Sequence, residues 1–173
     1  MSNYIKIKKF DIANGDGVRL SIFLSGCEHK CPDCFSKSTW DKNAGKEFTL
    51  ETMEDIIHEL GNPNIKGLSI LGGDPLAPYN ILTTLSIVTS VKSILPDKDI
   101  WLWTGYDFYD IVTSGTSSLF VILKNIDVLI DGKFEQENYN MNLRFRGSSN
   151  QRVIDMPKTL QNHKIIHKEC NYS

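Results

Sequence analysis

The sequence predicts an α/β fold, a single-domain partial (β/α) barrel with a mostly parallel sheet that is open on one side. Short apolar runs alternate with amphipathic helical stretches, which is typical of right-handed βαβ units and of a parallel sheet covered on its faces. A turn rich in glycine or polar residues follows each apolar run. With 173 residues, the chain is shorter than the roughly 250 that a closed eight-fold barrel usually needs, so we expect only part of such a barrel.

The first predicted strand and helix are separated by a long loop. Val18–Leu24 is apolar and β-branched enough for a buried strand, and Gly26 follows it. A helix is predicted between Thr49, as its N-cap, and Gly61, as the residue that stops it. Its apolar residues recur with the spacing of one helix face, and they are Met53, Ile56, Ile57 and Leu60.

A second strand and helix follow directly. Leu68–Leu71 is a short apolar run that ends in the turn Gly72-Gly73-Asp74-Pro75. A second helical stripe then ends at Pro96, which cannot continue a helix. The residues of this stripe are Ile81, Leu85, Val88 and Leu95.

Two more strands complete the predicted sheet, at Ile100–Trp103 and Val128–Ile130. Short helices are expected between them, over residues 107–113 and 119–124. The core is expected over about residues 10–155 of the single domain 1–173, and residues 156–173 are expected to form a tail of uncertain order.

Four loops follow the four predicted strands. They are a cysteine-containing loop, Gly72-Gly73-Asp74-Pro75, Thr104-Gly105-Tyr106 and Asp131-Gly132-Lys133. Because the carboxyl ends of parallel strands meet at one edge of a sheet, we expect these loops to converge. This edge is the predicted functional site.

Composition restricts the classes of partner. The chain has 19 Lys and Arg against 21 Asp and Glu, a net charge of −2, so no overall positive field favours nucleic acid or an anionic membrane. No run of about 18 apolar residues and no secretory signal is present. We therefore expect a cytoplasmic protein that binds neither nucleic acid nor a membrane.

The cysteine loop carries the clearest chemical signal. Cys27, Cys31 and Cys34 have the spacing C-x3-C-x2-C, whereas Cys170 lies far away in the sequence. In a reducing compartment such a cluster indicates a metal site rather than disulfides. Zinc and an iron–sulfur cluster are both chemically compatible with three close thiolates.

The two metals predict different proteins. A structural zinc site needs four ligands, and His163, His167 or Cys170 is available as the fourth. That alternative predicts a zinc-stabilised binding module. A 4Fe-4S cube held by three thiolates instead leaves one iron without a protein ligand, and an open metal position is typical of a reactive site.

The triad, with a Gly-Gly-Asp-Pro turn after the second strand, resembles the radical S-adenosylmethionine superfamily. Within it, the chain resembles the activating proteins of anaerobic ribonucleotide reductases over about residues 10–155. Six sequence blocks carry this resemblance: Asn14-Gly15-Asp16-Gly17-Val18-Arg19, Ser25-Gly26-Cys27, Lys37-Ser38-Thr39-Trp40, Trp101-Leu102-Trp103-Thr104-Gly105-Tyr106, Val128-Leu129-Ile130-Asp131-Gly132-Lys133-Phe134 and Arg146-Gly147-Ser148-Ser149-Asn150-Gln151.

The resemblance implies a radical S-adenosylmethionine fold and an oxidoreductase that activates a glycyl-radical enzyme. In that chemistry, reductive cleavage of S-adenosylmethionine at a 4Fe-4S cluster gives a 5′-deoxyadenosyl radical, which abstracts a glycine hydrogen atom. The implied partners are the large subunit of an anaerobic ribonucleoside-triphosphate reductase and a low-potential electron donor such as flavodoxin. A homodimer or a complex with the reductase is also compatible with the resemblance.

The resemblance also implies roles for individual residues, with no catalytic residue beyond the cluster and cofactor. Cys27, Cys31 and Cys34 are the implied metal ligands. The expected S-adenosylmethionine contacts are Asp33, Cys34, Phe35, Gly72, Gly73, Asp74 and Thr104. His29 is expected to be solvated or to lie behind the ligands, and Cys170 has no implied role.

Two alternatives remain within the superfamily. The chain could activate another glycyl-radical enzyme, or it could be a small-molecule radical enzyme. Arg144, Arg146 and Arg152 make one segment basic, which predicts either a docking surface for an acidic partner or an ordinary solvated face.

Overall fold

The computed structural model describes residues 2–170. Its strands are β1 (Asn3–Asp11), β2 (Arg19–Leu24), β3 (Lys46–Glu47), β4 (Gly67–Gly72), β5 (Asp99–Trp103), β6 (Val128–Asp131) and β7 (Arg152–Asp155). Its α-helices are α1 (Leu50–Leu60), α2 (Ile81–Ile94), α3 (Phe108–Thr113), α4 (Ser117–Asn125) and α5 (Met156–Asn162).

All the strands belong to one mixed sheet in the order β3-β1-β2-β4-β5-β6-β7. The central strands β2, β4, β5 and β6 run parallel, whereas β1, β3 and β7 pair antiparallel. The predicted α/β class with a mostly parallel, unclosed sheet is confirmed. The antiparallel strands at both edges were not predicted.

The four central strands agree closely with the predicted ones, because each is a short apolar run buried in the sheet. The helices also agree. Thr49 caps α1 as predicted, since its side chain accepts the backbone N–H of Thr52. The apolar face of α2 differs in part, because the residues that reach the core include Ile87 and Val91 as well as the predicted Val88.

The two faces of the sheet are covered differently. Leu20, Ile22 and Leu24 point to the face where the apolar side chains of the helices complete the main core. On the opposite face lies a smaller apolar cluster around Trp101 and Ile130 that contains no helix residue. The second face of the sheet is therefore covered by loops rather than by helices.

Arg19 explains how one of these loops is held. Its side chain is fully buried on the second face, and its guanidinium donates to the Asp99 carboxylate at 2.7 Å and to the backbone carbonyls of Asp16 and Leu68. A buried charge must be paired and hydrogen-bonded to be tolerated. Arg19 therefore ties the loop before β2 to the two neighbouring strands.

The segment after β7 is ordered where the structure describes it. After α5, the chain returns alongside β7: the Asp155 amide donates to the Ile166 carbonyl, and the Lys168 amide donates to the Val153 carbonyl, both at 2.8 Å. Residues 171–173 of the predicted tail lie outside the described residues. Among residues 2–170, no helix has the length and apolarity needed to cross a membrane.

Candidate functional site

The carboxyl ends of the four parallel strands surround one cavity of about 450 Å³. All four loops that were predicted to converge contribute to its lining, and the three clustered cysteines lie together there. The lining residues that the sequence singled out are Cys27, Cys31, Cys34, Phe35, Gly72, Gly73, Asp74 and Thr104. The convergence at this edge is therefore confirmed.

The cysteine loop is fastened where it leaves β2. The Gly26 amide donates to the Thr39 carbonyl at 2.6 Å, and the Cys27 amide donates to the Trp40 carbonyl at 3.1 Å. Two residues between the cysteines, Lys30 and Asp33, adopt positive φ angles of 47° and 54°. These left-handed residues turn the backbone sharply, and the turn brings the cysteines to one side of the loop.

Backbone N–H groups are directed at the sulfur atoms of the clustered cysteines. Burial raises the pKa of the Cys27 and Cys31 thiols, while backbone N–H groups of His29 and Phe134 oppose this rise. The Ser36 amide donates to Cys34 Sγ at 3.4 Å. Backbone donors aimed at sulfur are a recurrent feature of iron–sulfur sites, so the residues present fit such a cluster.

The described residues do not form a ready-made site for a single metal ion. Within residues 2–170, no group of three or more His, Cys, Asp or Glu side chains is close enough to hold one metal ion. In a cube, by contrast, each thiolate binds a different iron, so the thiolates stand further apart. His167 and Cys170, two of the proposed fourth zinc ligands, line a separate cavity.

Backbone conformation and close packing explain why glycines occupy positions 72 and 73. Gly72 has a φ of 112°, and a Cβ on Gly73 would lie 2.2 Å from the Gly26 carbonyl oxygen. The Asp74 amide donates to the same oxygen at 2.7 Å. Glycine is therefore required here because the turn after β4 lies directly against the start of the cysteine loop.

Asp74 is the central polar residue of the site. Its carboxylate is 1% exposed and accepts hydrogen bonds from the Leu76 amide at 2.8 Å, the Gly105 amide at 2.9 Å and the Thr104 hydroxyl at 2.9 Å. His29 Nε2 lies 2.7 Å from its second oxygen. These donors use all of its roughly four acceptor positions, so Asp74 joins three loops and has no spare position for a cofactor ammonium group.

His29 is buried between these loops rather than solvated. Its side chain is 9% exposed, and its ring lies 4.5 Å from the ring of Tyr106 in an edge-on contact. A Cβ on Gly105 would lie 2.4 Å from the ring. Because a carboxylate only accepts hydrogen bonds, the contact with Asp74 requires the tautomer in which Nε2 carries the proton.

The two residues that flank the last cysteine have different positions. Phe35 lines the cavity but is 73% exposed, and it packs against Phe134 and Tyr139 with ring centroids 5.3 and 5.8 Å away. The Asp33 side chain is 68% exposed and lies 3.5 Å from Lys37. Asp33 does not line the cavity, so the structure does not bring it to the other expected contacts.

The lining residues without a predicted role include two groups. One is Trp40. The other is the rim segment, residues 132–151 between β6 and β7, which covers one side of the cavity. The side chain of Gln151 holds its ends together, since it donates to the Gly132 carbonyl and accepts from the Gly147 amide, both at 2.9 Å. Trp40 and the two ends of the rim segment lie in sequence blocks that carried the resemblance, whereas residues 135–145 lie in none of them.

The arginines do not form one basic surface. Arg152 is paired with Asp107 and Asp131, which is the ordinary structural role of such a residue. Arg146 donates to the Gln151 carbonyl and, with Arg144, contributes to the second cavity.

Comparison with known proteins agrees with this geometry. Residues 13–154 match the family described as 4Fe-4S single cluster domain. The chain is 44% identical to the anaerobic ribonucleoside-triphosphate reductase-activating protein of Vibrio cholerae, covering 86% of this chain and 95% of the relative. It is 42% identical to the protein of that name from Escherichia coli K12, covering 87% and 97%, and 43% identical to the one from Enterobacteria phage T4, covering 87% and 92%.

Proposed function

Because the chain belongs to the 4Fe-4S single cluster family that contains the anaerobic ribonucleoside-triphosphate reductase-activating proteins, we propose that it activates such a reductase. It does so by generating a glycyl radical on the reductase large subunit. We assign it to the radical S-adenosylmethionine oxidoreductases, with one 4Fe-4S cluster per chain, and we interpret its unclosed sheet as the partial barrel of that class.

This proposal rests on one observation: three of the four cysteines line the same cavity, and the fourth cysteine lies elsewhere. Cys27, Cys31 and Cys34 line this cavity, while Cys170 lies in another. Three ligands leave one iron of a cube open, and an open iron is where S-adenosylmethionine can coordinate. When bound, the cluster and S-adenosylmethionine would supply an electron and a 5′-deoxyadenosyl radical that takes the glycine hydrogen atom.

The chain's own residues position these groups and shape the site. The three thiolates hold the cluster, and Gly72, Gly73, Phe35 and Thr104 offer the surface on which the cofactor would lie. Asp74 acts through its partners: it fixes His29 of the cysteine loop and Thr104 of the loop after β5. We therefore assign Asp74 a positioning role, and we leave Asp33, whose side chain lies outside the cavity lining, out of the proposed cofactor contacts.

The exposed apolar side chains at the mouth of the cavity favour a protein as the substrate. Phe35 is 73% exposed and Met141 is 80% exposed, and both line the cavity mouth. Exposed apolar side chains beside a cavity are typical of surfaces that bind another protein. We propose that an extended glycine-containing loop of the reductase enters the cavity past the exposed side chains of Phe35 and Met141, and that a low-potential donor such as flavodoxin supplies the electron.

Anaerobic reconstitution tests the function. The full chain, supplied with iron and sulfide, should turn brown, cleave S-adenosylmethionine to 5′-deoxyadenosine when reduced, and give a glycyl-radical signal in electron paramagnetic resonance with the reductase. Cys31→Ala should lose all three properties. Cys170→Ala is the matched control and should keep them, because its thiol lies in the separate cavity.

The alternatives predict different results. A zinc-stabilised module would give a colourless protein with one tetrahedral zinc and would be damaged by Cys170→Ala if that thiol were its fourth ligand. An activase of another enzyme, or a small-molecule enzyme, would cleave S-adenosylmethionine but leave the reductase without a radical.

A further inference from the structure

The second cavity, of about 320 Å³, is lined by four basic side chains and by no Asp or Glu of residues 2–170. Arg144 and Arg146 come from the rim segment, and His167 and Lys168 come from the segment that returns alongside β7. Burial raises the pKa of the Cys170 thiol in this cavity, and the charges of the two arginines and the lysine oppose this rise. Because three permanent positive charges act on the same small space, the cavity favours an anion.

Backbone and side-chain contacts hold two of these cations in place. The Arg146 guanidinium donates to the Gln151 carbonyl. The Lys168 amide donates to the Val153 carbonyl at 2.8 Å, and its ammonium group lies 5.7 Å from the centroid of the Trp101 ring. Both side chains are only partly exposed. A ligand that binds to side chains already held in place loses less affinity to their ordering.

Carboxylates of the described chain do not neutralise these two cations. Arg146 and Lys168 form no ion pair within residues 2–170. The hydrogen bond from Lys66 lowers the pKa of Asp16, and the charges of Lys168 and Arg144 lower it further. Asp16 therefore lies within electrostatic reach of the cavity, but its ion-pair partner is Lys66.

We propose that the second cavity is an anion site that binds a chain of phosphate groups, either inorganic or part of a nucleotide. Guanidinium groups bind phosphate oxygens in pairs, and a lysine ammonium adds a compact charge. A phosphate group carries up to about two negative charges, so a chain of such groups matches three permanent cations better than a carboxylate does. The described lining contains no Phe, Tyr or Trp on which a base could stack, so the phosphates are recognised and the base is not.

The test is isothermal titration calorimetry of tripolyphosphate with the full chain, kept reduced and anaerobic near neutral pH. Lys168→Gln removes a cation that lines the second cavity and not the cysteine cavity. The loss of one hydrogen bond between charged groups predicts an affinity about tenfold weaker. Lys164→Gln is the matched control, because it makes the same change at an exposed lysine outside the lining; its affinity should stay within about twofold of wild type.

A second measurement does not depend on any variant. Brief acetylation of the wild-type chain, read by mass spectrometry, should modify Lys168 more slowly when tripolyphosphate is present. The rate at Lys164 should not change. ATP should bind as tightly as tripolyphosphate and protect Lys168 equally, whereas citrate, which offers carboxylates, should bind more weakly.

Several results would overturn the proposal. One is a wild-type chain that neither binds tripolyphosphate nor shows protection of Lys168, and another is an equal loss of affinity in both lysine variants. Citrate that binds as tightly as tripolyphosphate would exclude a phosphate site, and ATP that binds far more tightly would show that the base is recognised. The inference goes beyond the proposed function and does not need the iron–sulfur cluster, so the failure of either leaves the other intact.

Discussion

The hydrogen bonds of Asp74 predict a large effect for a very small substitution. Asp74→Asn changes one oxygen of a buried carboxylate into an amide nitrogen and alters the side-chain volume very little. One oxygen can still accept from the Leu76 amide and the Thr104 hydroxyl. The new nitrogen, however, faces the Gly105 amide at the position where an oxygen accepted it at 2.9 Å.

The magnitude follows from the groups left without partners. The Gly105 N–H loses its acceptor, which costs about 1–3 kcal/mol, and hydrogen bonds to a charged group contribute more than neutral ones. His29 can recover part of its contact by changing its tautomer. We therefore expect the free energy of unfolding to fall by about 2–3 kcal/mol.

Urea denaturation of the full chain under anaerobic, reducing conditions measures this difference. With an m-value of about 2 kcal/mol/M, the midpoint should fall by roughly 1 M. Asp33→Asn is the matched control, because it makes the same chemical change on the cysteine loop at a side chain that is 68% exposed; it should stay within about 0.5 kcal/mol of wild type. If Asp74→Asn unfolds at the wild-type urea concentration, Asp74 does not join the loops as described.

Further perturbations test other parts of the structure. The pKa of Asp11 is lowered from 3.8 to about 2, so the stability that its carboxylate contributes is present above pH 3.8 and is lost as the pH falls towards 2. When unfolding is measured over this pH range, the free energy of unfolding should fall by about 2 kcal/mol. This fall should be absent in Asp11→Asn. Arg19→Met removes a buried cation with five hydrogen bonds and leaves its partners unpaired, so chemical denaturation should show a loss of about 3–5 kcal/mol, and a wild-type midpoint would contradict the pairing. Gly73→Ala places a Cβ 2.2 Å from the Gly26 oxygen and should lower both thermal stability and the iron bound per chain. Gly115→Ala, whose Cβ meets nothing within 4 Å, should lose only about 1 kcal/mol and keep its iron.

The sequence predicted the parts of the fold that have a strong local pattern. The buried parallel strands read as apolar runs, and Thr49 marks the start of α1. Strand β1 was missed although Ile5 and Ile7 alternate with lysines, because its side chains are only partly buried at the sheet edge. Strand β7 is four residues long, too short to give a period, and its place depends on pairing with β6, which no local pattern encodes.

The site, like the fold, could be predicted only where a local sequence pattern determines it. The positions of Cys27, Cys31 and Cys34 follow from their spacing and from the strand before them, and the loops converge because parallel strands share an edge. The commitment of Asp74 to His29 and Thr104 could not be predicted, because it joins residues that are up to 45 positions apart.

Because helices cover one face of the sheet and loops cover the other, different parts of this chain are constrained by folding and by target binding. The helices and the strand residues that face them determine whether the protein folds, whereas the rim segment determines what can approach the cysteines. Gln151 closes the base of that segment, and within it Phe145 packs against Trp101 of the smaller apolar cluster. We therefore expect activases for different target enzymes to diverge most at the exposed positions of this segment, and grafting those positions while keeping Phe145 should transfer target preference at little cost in stability.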